Sequence, residues 1–436
     1  MGVNLINLSL KINNFPIEDA KIHLKKIQNL DDESFHNYTQ EQKKLIVRHH
    51  LDNNSFYRKL VGKSATYDNW NSLPVLTKYD FQMPLKDRLS GGFNLKNVFK
   101  NKTSGSSGNP FYFAKDKFSH AFTWAIIENR FNWHELYGRK QARFYGEPKE
   151  LVARSKEKLK DFLSNRSKFN VFDLSDNAFE KWITKFSKNN YVYINGYTTV
   201  INAFAIYLNS HGIILKDVCN TLMACVVTSE MCFEEDKKNM EKAFGVPVIN
   251  EYGASELDII AFQNKNEQWL LTTESLFIEV LDDNNKPVPD GETGKLVITS
   301  LYNKAHPFIR YEIGDIGSIC KLDSRNVILE KLEGRNEDLV YLSSGKVTPG
   351  LAFYYITKSI MKDSSNVKEI KVIQKTLDIF DVNYVAQYEL NDKEILTIKN
   401  ALFNYLEPNL KIFFHKFDQL DRSKSGKLKQ FTSLIK

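Results

Sequence analysis

The chain is predicted to be an α/β protein. It should have a large N-terminal domain of mostly parallel sheet covered by helices plus a β-rich subdomain, and a small α+β C-terminal domain. Three observations predict this. Short, nearly continuous apolar runs of β type alternate with helical patterns between 171 and 249, which is the signature of parallel strands buried on both faces. Strand follows strand between 268 and 335. Beyond Gly334-Arg335, two strands, a helix and a further strand form a unit able to fold around its own core. With 436 residues the chain exceeds one ordinary core, so the reading is two domains, 1–334 and 335–436.

Taken in order, residues 17–52 read as helical, with Ala20, Leu24, Ile27, Val47 and Leu51 on apolar positions three and four apart. A strand-like stretch, Val98 to Lys100, leads into Thr103-Ser104-Gly105-Ser106-Ser107-Gly108-Asn109-Pro110, where glycine and serine break both helix and strand. The alternating region places strands at Val171–Leu174, Tyr191–Ile194, Leu222–Val227 and Val246–Ile249, with helices at Phe179–Phe186 and Phe233–Phe244. Phe277–Leu281, Leu296–Leu301 and Val327–Leu332 are the strands of the β-rich part, joined by turns such as Pro289-Asp290-Gly291. The C-terminal unit carries strands Ile370–Gln374, Val382–Glu389 and Ile412–Phe417 and the helix Lys393–Tyr405.

Composition narrows the class of partner. Sixty basic against fifty-three acidic residues give a net charge of +7, spread over mixed-sign stretches rather than gathered into a basic run interleaved with aromatics. Nucleic acid is therefore not the expected partner. Cys219, Cys225, Cys232 and Cys320 make neither a CxxC pair nor a zinc-type pattern with His. No apolar run is long enough for a membrane span and the N-terminus lacks the apolar stretch of a signal peptide, so no integral membrane segment is expected and the cytoplasm is the expected location.

Thr103 to Pro110 packs four hydroxyl side chains and two glycines into eight residues. Backbone N–H groups freed by glycine, together with serine and threonine hydroxyls, suit an oligophosphate; the same composition also suits a solvated linker. No Gly-Lys-Ser/Thr closes it, so it is not a Walker loop. Further polar segments follow. Asn250-Glu251-Tyr252-Gly253-Ala254-Ser255-Glu256 comes after an apolar strand, at the edge where open α/β sheets bind ligands. Arg310-Tyr311-Glu312-Ile313-Gly314-Asp315 offers an aspartate after a turn, Gly334-Arg335-Asn336-Glu337-Asp338 a cation and a hinge, and Ser425-Gly426-Lys427 a lysine in a loop.

These five segments, in this order, resemble the adenylate-forming superfamily of acyl-CoA synthetases, adenylation domains and luciferases, and within it the phenylacetate-CoA ligase branch that includes CapK-type proteins of capsular polysaccharide genes. The resemblance runs from about residue 60 to the end. It implies ATP and Mg2+ as cofactors, a carboxylic acid substrate, and coenzyme A as the default acceptor, with an amine or sugar as the alternative. Thr103, Ser104, Gly105, Ser106, Ser107 and Gly108 would hold the phosphates. Ser229 and Glu230, in Thr228-Ser229-Glu230, would flank adenine, with Tyr252 stacking on its face beside Gly253 and Ser255. Glu256 would bind Mg2+, Asp315 the ribose hydroxyls, and Arg335 would lie near the α-phosphate. Lys427 would bridge the substrate carboxylate and the α-phosphate, and the small C-terminal domain would rotate between half-reactions. Tyr145 and Asn195-Gly196-Tyr197 would wall the acyl pocket or else belong to the core. The sequence departs from the family in three places: Phe111 follows the loop's proline, Ser229 replaces a smaller residue, and Glu337 stands at the usual hinge aspartate. A non-catalytic nucleotide-binding descendant is the alternative of a different class.

Overall fold

The computed structural model describes residues 5–62, 65–103, 111–145, 161–171, 173–335, 339–345, 347–349, 366–421, 428 and 430–435. These divide into two compact units, one of residues 1–313 and 318–331 and one of 314–317 and 332–436.

The first unit opens with helices. Asp31 caps the helix Asp32–Asn53 by accepting from the Ser34 N–H at 2.8 Å, and Asn54 both ends that helix and caps Ser55–Val61 through the Tyr57 N–H. Such side chains satisfy donors that a helix start leaves without partners. Strands β1 (Phe99–Lys102) and β2 (Tyr112–Lys115) then pair antiparallel as a two-stranded sheet. Asp116, directly after β2, caps the helix Lys117–Asn132.

The parallel core is built from β3 (Gln141–Phe144), β4 (Arg166–Lys168), β5 (Tyr193–Tyr197), β6 (Ala224–Thr228) and β7 (Val248–Ala254). They are ordered β4-β3-β5-β6-β7 and pair parallel throughout. Alternate residues of a strand face opposite sides, and both sides are buried here. Ile194, Cys225 and Val227 face a cluster with Phe144, Phe169, Phe186, Phe204 and Phe244. Tyr193, Ala224 and Val226 face a second cluster with Phe131, Ile249 and Phe262. Burial on both faces explains the unbroken apolar runs in the sequence. The helix Glu234–Phe244 ends at Gly245 with φ +66°, a left-handed closure that glycine adopts without strain.

From β7 the sheet turns antiparallel through β8 (Asp258–Gln263) and β9 (Trp269–Leu271), and continues with β10 (Leu276–Leu281), β11 (Gly294–Ser300), β12 (Tyr311–Lys321) and β13 (Val327–Arg335). The β-rich region is therefore not a separate sheet. It joins the parallel strands edge to edge, Ile328 of β13 pairing with Leu270 of β9.

Several strands differ from expectation, two of them in the parallel core. Val171 is buried but outside the ladder, and the hydrogen-bonded strand is the more polar Arg166–Lys168 just before it. Burial and strand pairing are separate properties, and hydropathy reports only the first. Strand β3, with buried Gln141, was not expected at all.

The second unit packs β14 (Leu339–Tyr341) and β15 (Val347–Pro349) as one pair, and β16 (Val367–Gln374), β17 (Ile379–Ala386), β18 (Lys411–Lys416) and β19 (Phe431–Ser433) as a sheet of order β18-β17-β16-β19. The helix Asp392–Tyr405, started by a reciprocal Asn391–Glu394 capping box, lays Ile398 and Leu402 into a core with Val372, Phe380 and Val382. Among the described residues no helix is long and apolar enough to cross a membrane.

Candidate active site

Because β3, β5, β6 and β7 run parallel, their carboxyl ends gather along one edge. Tyr145 follows β3, Thr198 follows β5, Ser229 and Glu230 follow β6, and Glu256 follows β7. The strands approach closely here: a Cβ on Gly196 would stand 2.2 Å from the Phe144 carbonyl oxygen, so only glycine fits. Beside it, Asn195 accepts from Gln141 Nε2 at 2.8 Å and donates to the Val226 carbonyl at 3.2 Å. The Tyr145 and Tyr197 rings lie 4.9 Å apart, and the Arg143 guanidinium sits 4.1 Å over the Tyr145 ring. Burial raises the Tyr145 phenol well above its ordinary range, so it stays neutral.

Ser229 has φ +70°, a left-handed conformation uncommon for a residue with a side chain. That geometry accounts for glycine suiting the position. The turn it makes delivers Glu230 to the start of the helix Thr198–Ser210, where one carboxylate oxygen accepts from both the N–H and the hydroxyl of Thr199 at 2.8 Å. Thr228 donates to Glu251 at 2.9 Å, and burial pushes the Glu251 carboxyl upward against the opposing pull of that bond and of Arg143. Tyr252 is buried and meets Trp269 edge-on, with ring centroids 6.1 Å apart.

The densest chemistry lies at the turn between β7 and β8. Glu256 is 7% exposed, and its Oε1 accepts from the Tyr311 hydroxyl at 3.1 Å. Two residues on, Asp258 Oδ2 accepts from the Lys115 ammonium and, at 2.7 Å, from the Thr123 hydroxyl. Burial draws the Lys115 ammonium down to about 7, with the negative charge of Glu256 acting the other way. Ser255 is exposed at the tip of this turn, and a Cβ on Gly253 would stand 2.4 Å from the Asp258 carbonyl oxygen.

Across the unit, Thr103 closes the base of the Ser/Gly segment. Its N–H donates to the Phe111 carbonyl at 2.9 Å and its hydroxyl accepts from the Phe111 N–H at 3.1 Å. Phe111, the departure after the proline, is buried against Phe81, Phe308 and Tyr311, with the Arg88 guanidinium 5.1 Å over its ring. It anchors the β2 arm, and its ring stacks on the tyrosine that binds Glu256.

Ser104, Gly105, Ser106, Ser107, Gly108 and Lys427, together with the hinge residues 336–338, lie outside the described residues. Asp315 is half-buried within β12, just after Gly314 at φ +89°, in the stretch that belongs with the second unit. Arg335 ends β13. Sequence reasoning missed Lys115, Thr123, Asp258 and Tyr311 as neighbours of Glu256. Among the described residues no group of three or more His, Cys, Asp and Glu gathers as a metal cage. A buried carboxylate such as Glu256 nonetheless suits Mg2+, which takes one or two carboxylates and completes its shell with water and phosphate oxygens.

No family model matches the chain. Over 406 residues it is 23% identical to protein CapK of Staphylococcus aureus, a similarity that spans 89% of this chain and 83% of CapK. It is 30% identical over 138 residues to the phenylacetate-coenzyme A ligase of Thermus thermophilus, covering 30% of this chain and 31% of that protein. Its fold matches 2-hydroxyisobutyryl-CoA ligase, solved in the postadenylation state with an acyl-AMP, with a TM-score of 0.69, 13% identity and coverage of 93% and 91% of the two chains. The chain is thus similar in sequence to CapK over most of its length and to the phenylacetate-CoA ligases over part of it, and it shares the fold of 2-hydroxyisobutyryl-CoA ligase.

Proposed function

We propose that this adenylate-forming ligase couples a carboxylic acid to AMP, releasing pyrophosphate, and then passes the acyl group to an acceptor, by default coenzyme A. The observation that carries the reading is Glu256, a buried carboxylate at the carboxyl end of a parallel strand, oriented by Tyr311 and placed in one unit with the hairpin that flanks the Ser/Gly segment. In this reading Glu256 would hold Mg2+, which when bound would supply charge neutralisation to the departing pyrophosphate. Thr103 and residues 104–108 cradle the β- and γ-phosphates. Asp315 takes the ribose hydroxyls, Arg335 lies by the α-phosphate, and Tyr252 with the Ser229-Glu230 turn borders adenine. Lys427 draws the substrate carboxylate and the α-phosphate together. Holding two anions in line is the main task, so no protein nucleophile is needed. The carboxylate oxygen forms the new bond to phosphorus as the bond to pyrophosphate breaks.

A second acceptor has support of its own. The similarity to CapK spans most of the chain, whereas that to phenylacetate-CoA ligase spans about a third, which favours weighing an amine or a sugar of a surface polysaccharide beside coenzyme A. Acid-dependent exchange of labelled pyrophosphate into ATP, run across a panel of acids, tests the first half-reaction. Exchange with one class of acid supports the proposal. Tight ATP binding with no exchange and no pyrophosphate release for any acid would instead describe a nucleotide-binding protein. Product analysis with and without coenzyme A then separates the two acceptors.

A further inference from the structure

Lys115 is the last residue of β2, the arm that returns from the Thr103–Phe111 pair. Asp258 is the first residue of β8, on the far side of the turn that carries Glu256. The Lys115 ammonium binds Asp258 Oδ2, with the two side chains 4% and 28% exposed. Thr123 adds a second bond to the same oxygen from the helix that begins two residues after Lys115. Asp258 needs such a hold, because its φ of +61° is left-handed, a conformation that strains a residue with a Cβ. On the other side its carbonyl oxygen fills the space that glycine leaves at position 253. Both ends of the Ala254–Asp258 turn are thus fixed, with Glu256 between them. Lys115 also lies near enough to Glu256 for their charges to interact.

We infer that Lys115 is a positioning residue for Glu256: by clamping Asp258 it fixes the turn that presents this carboxylate, and it ties the hairpin flanking the phosphate-binding segment to the turn that holds the metal. The inference rests on the proposed role of Glu256. Outer partners of metal ligands typically change metal affinity by roughly 10- to 100-fold when removed, and that is the size of effect expected.

The test is a titration of Mn2+ into the full-length protein holding a non-hydrolysable ATP analogue, with free Mn2+ read by paramagnetic resonance. Wild type is compared with Glu256→Gln, Lys115→Met, Asp258→Asn and the Lys115→Met/Asp258→Asn double variant. Binding of the analogue in EDTA is measured alongside, and unfolding midpoints check the fold. Asp258→Asn changes a partly exposed side chain with little change of shape, so it carries the test if Lys115→Met fails to fold. The expected result is Mn2+ affinity lowered roughly 10- to 100-fold in each single variant, no further loss in the double, and analogue binding in EDTA unchanged. If Lys115→Met and Asp258→Asn bind Mn2+ like wild type while Glu256→Gln does not, or if the single losses add, or if metal-free binding falls equally, the inference fails. If Glu256→Gln itself binds Mn2+ like wild type, the role of Glu256 is what fails.

Discussion

The Tyr311 hydroxyl donates to Glu256 Oε1 at 3.1 Å, joining the first residue of β12 to the turn after β7 across 55 positions of sequence. Both side chains are buried, so neither can exchange this bond for one to water. A hydrogen bond to a charged group contributes about 1.5–3 kcal/mol. Tyr311→Phe should therefore lower kcat/KM for pyrophosphate exchange by roughly 10- to 100-fold, with much of the loss appearing as a raised requirement for Mg2+. A variant with wild-type kinetics at all Mg2+ concentrations would show that Tyr311 does not orient Glu256.

Gly253 bears on the same turn through shape alone. A methyl group there would meet the Asp258 carbonyl oxygen at 2.4 Å, which forces the backbone of β7 away from that of β8. Gly253→Ala should destabilise the protein by about 1–3 kcal/mol, as overpacking does, and should cost more exchange activity than its stability loss explains. Denaturant unfolding and kinetics at a temperature where the variant is fully folded measure the two effects separately.

His50 makes stability depend on pH. It is completely buried, its Nδ1 3.0 Å from the Ser90 hydroxyl and its Nε2 2.9 Å from the Asn303 carbonyl oxygen, and burial holds its imidazole down to about 3. The unfolded chain takes up a proton below about 6.5 while the folded chain does not. The unfolded state thus binds more protons in that window, and stability falls as pH drops from about 6.5 towards 3, by at most about 1.4 kcal/mol per pH unit for this one group. His120, also held near 3 by burial, adds in the same sense. Urea midpoints should decline through this range in wild type and more gently in His50→Gln. Parallel slopes would contradict the assignment.

Lys427 is assigned to the first half-reaction only. Lys427→Ala should lose acid-dependent exchange yet still transfer the acyl group from a chemically prepared acyl-AMP. Equal loss in both halves would remove the lysine from its proposed position beside the α-phosphate.

The parallel core was readable because strands buried on both faces must be apolar throughout, as Ile194, Cys225 and Val227 are. That Glu256 stands near the carboxyl end of a core strand was readable from the apolar run Val246–Ile249 before it. Its surroundings were not. Lys115 and Lys117 flank Asp116 alike in the sequence, and only the pairing of β1 with β2 sends Lys115 inward to Asp258. Tyr311 meets Glu256 through long-range packing that no local pattern encodes. Phe111 stood out in the sequence only as a departure from the family after the loop's proline, whereas the fold uses it as an aromatic anchor against Tyr311, with ring centroids 6.5 Å apart. Strand β3 was missed because buried Gln141 is satisfied by Asn195, a partner that only the assembled sheet supplies.

The central claim is attack of a carboxylate oxygen on the α-phosphorus of ATP. It is tested most directly by supplying the preferred acid labelled with 18O in its carboxyl group and reading the product nucleotide by mass spectrometry after one turnover with an acceptor. Adenylation leaves one 18O on AMP, because the oxygen that formed the bond to phosphorus departs with it, and labelled AMP is the expected result. Label in inorganic phosphate alongside ADP, or unlabelled AMP, would contradict the account.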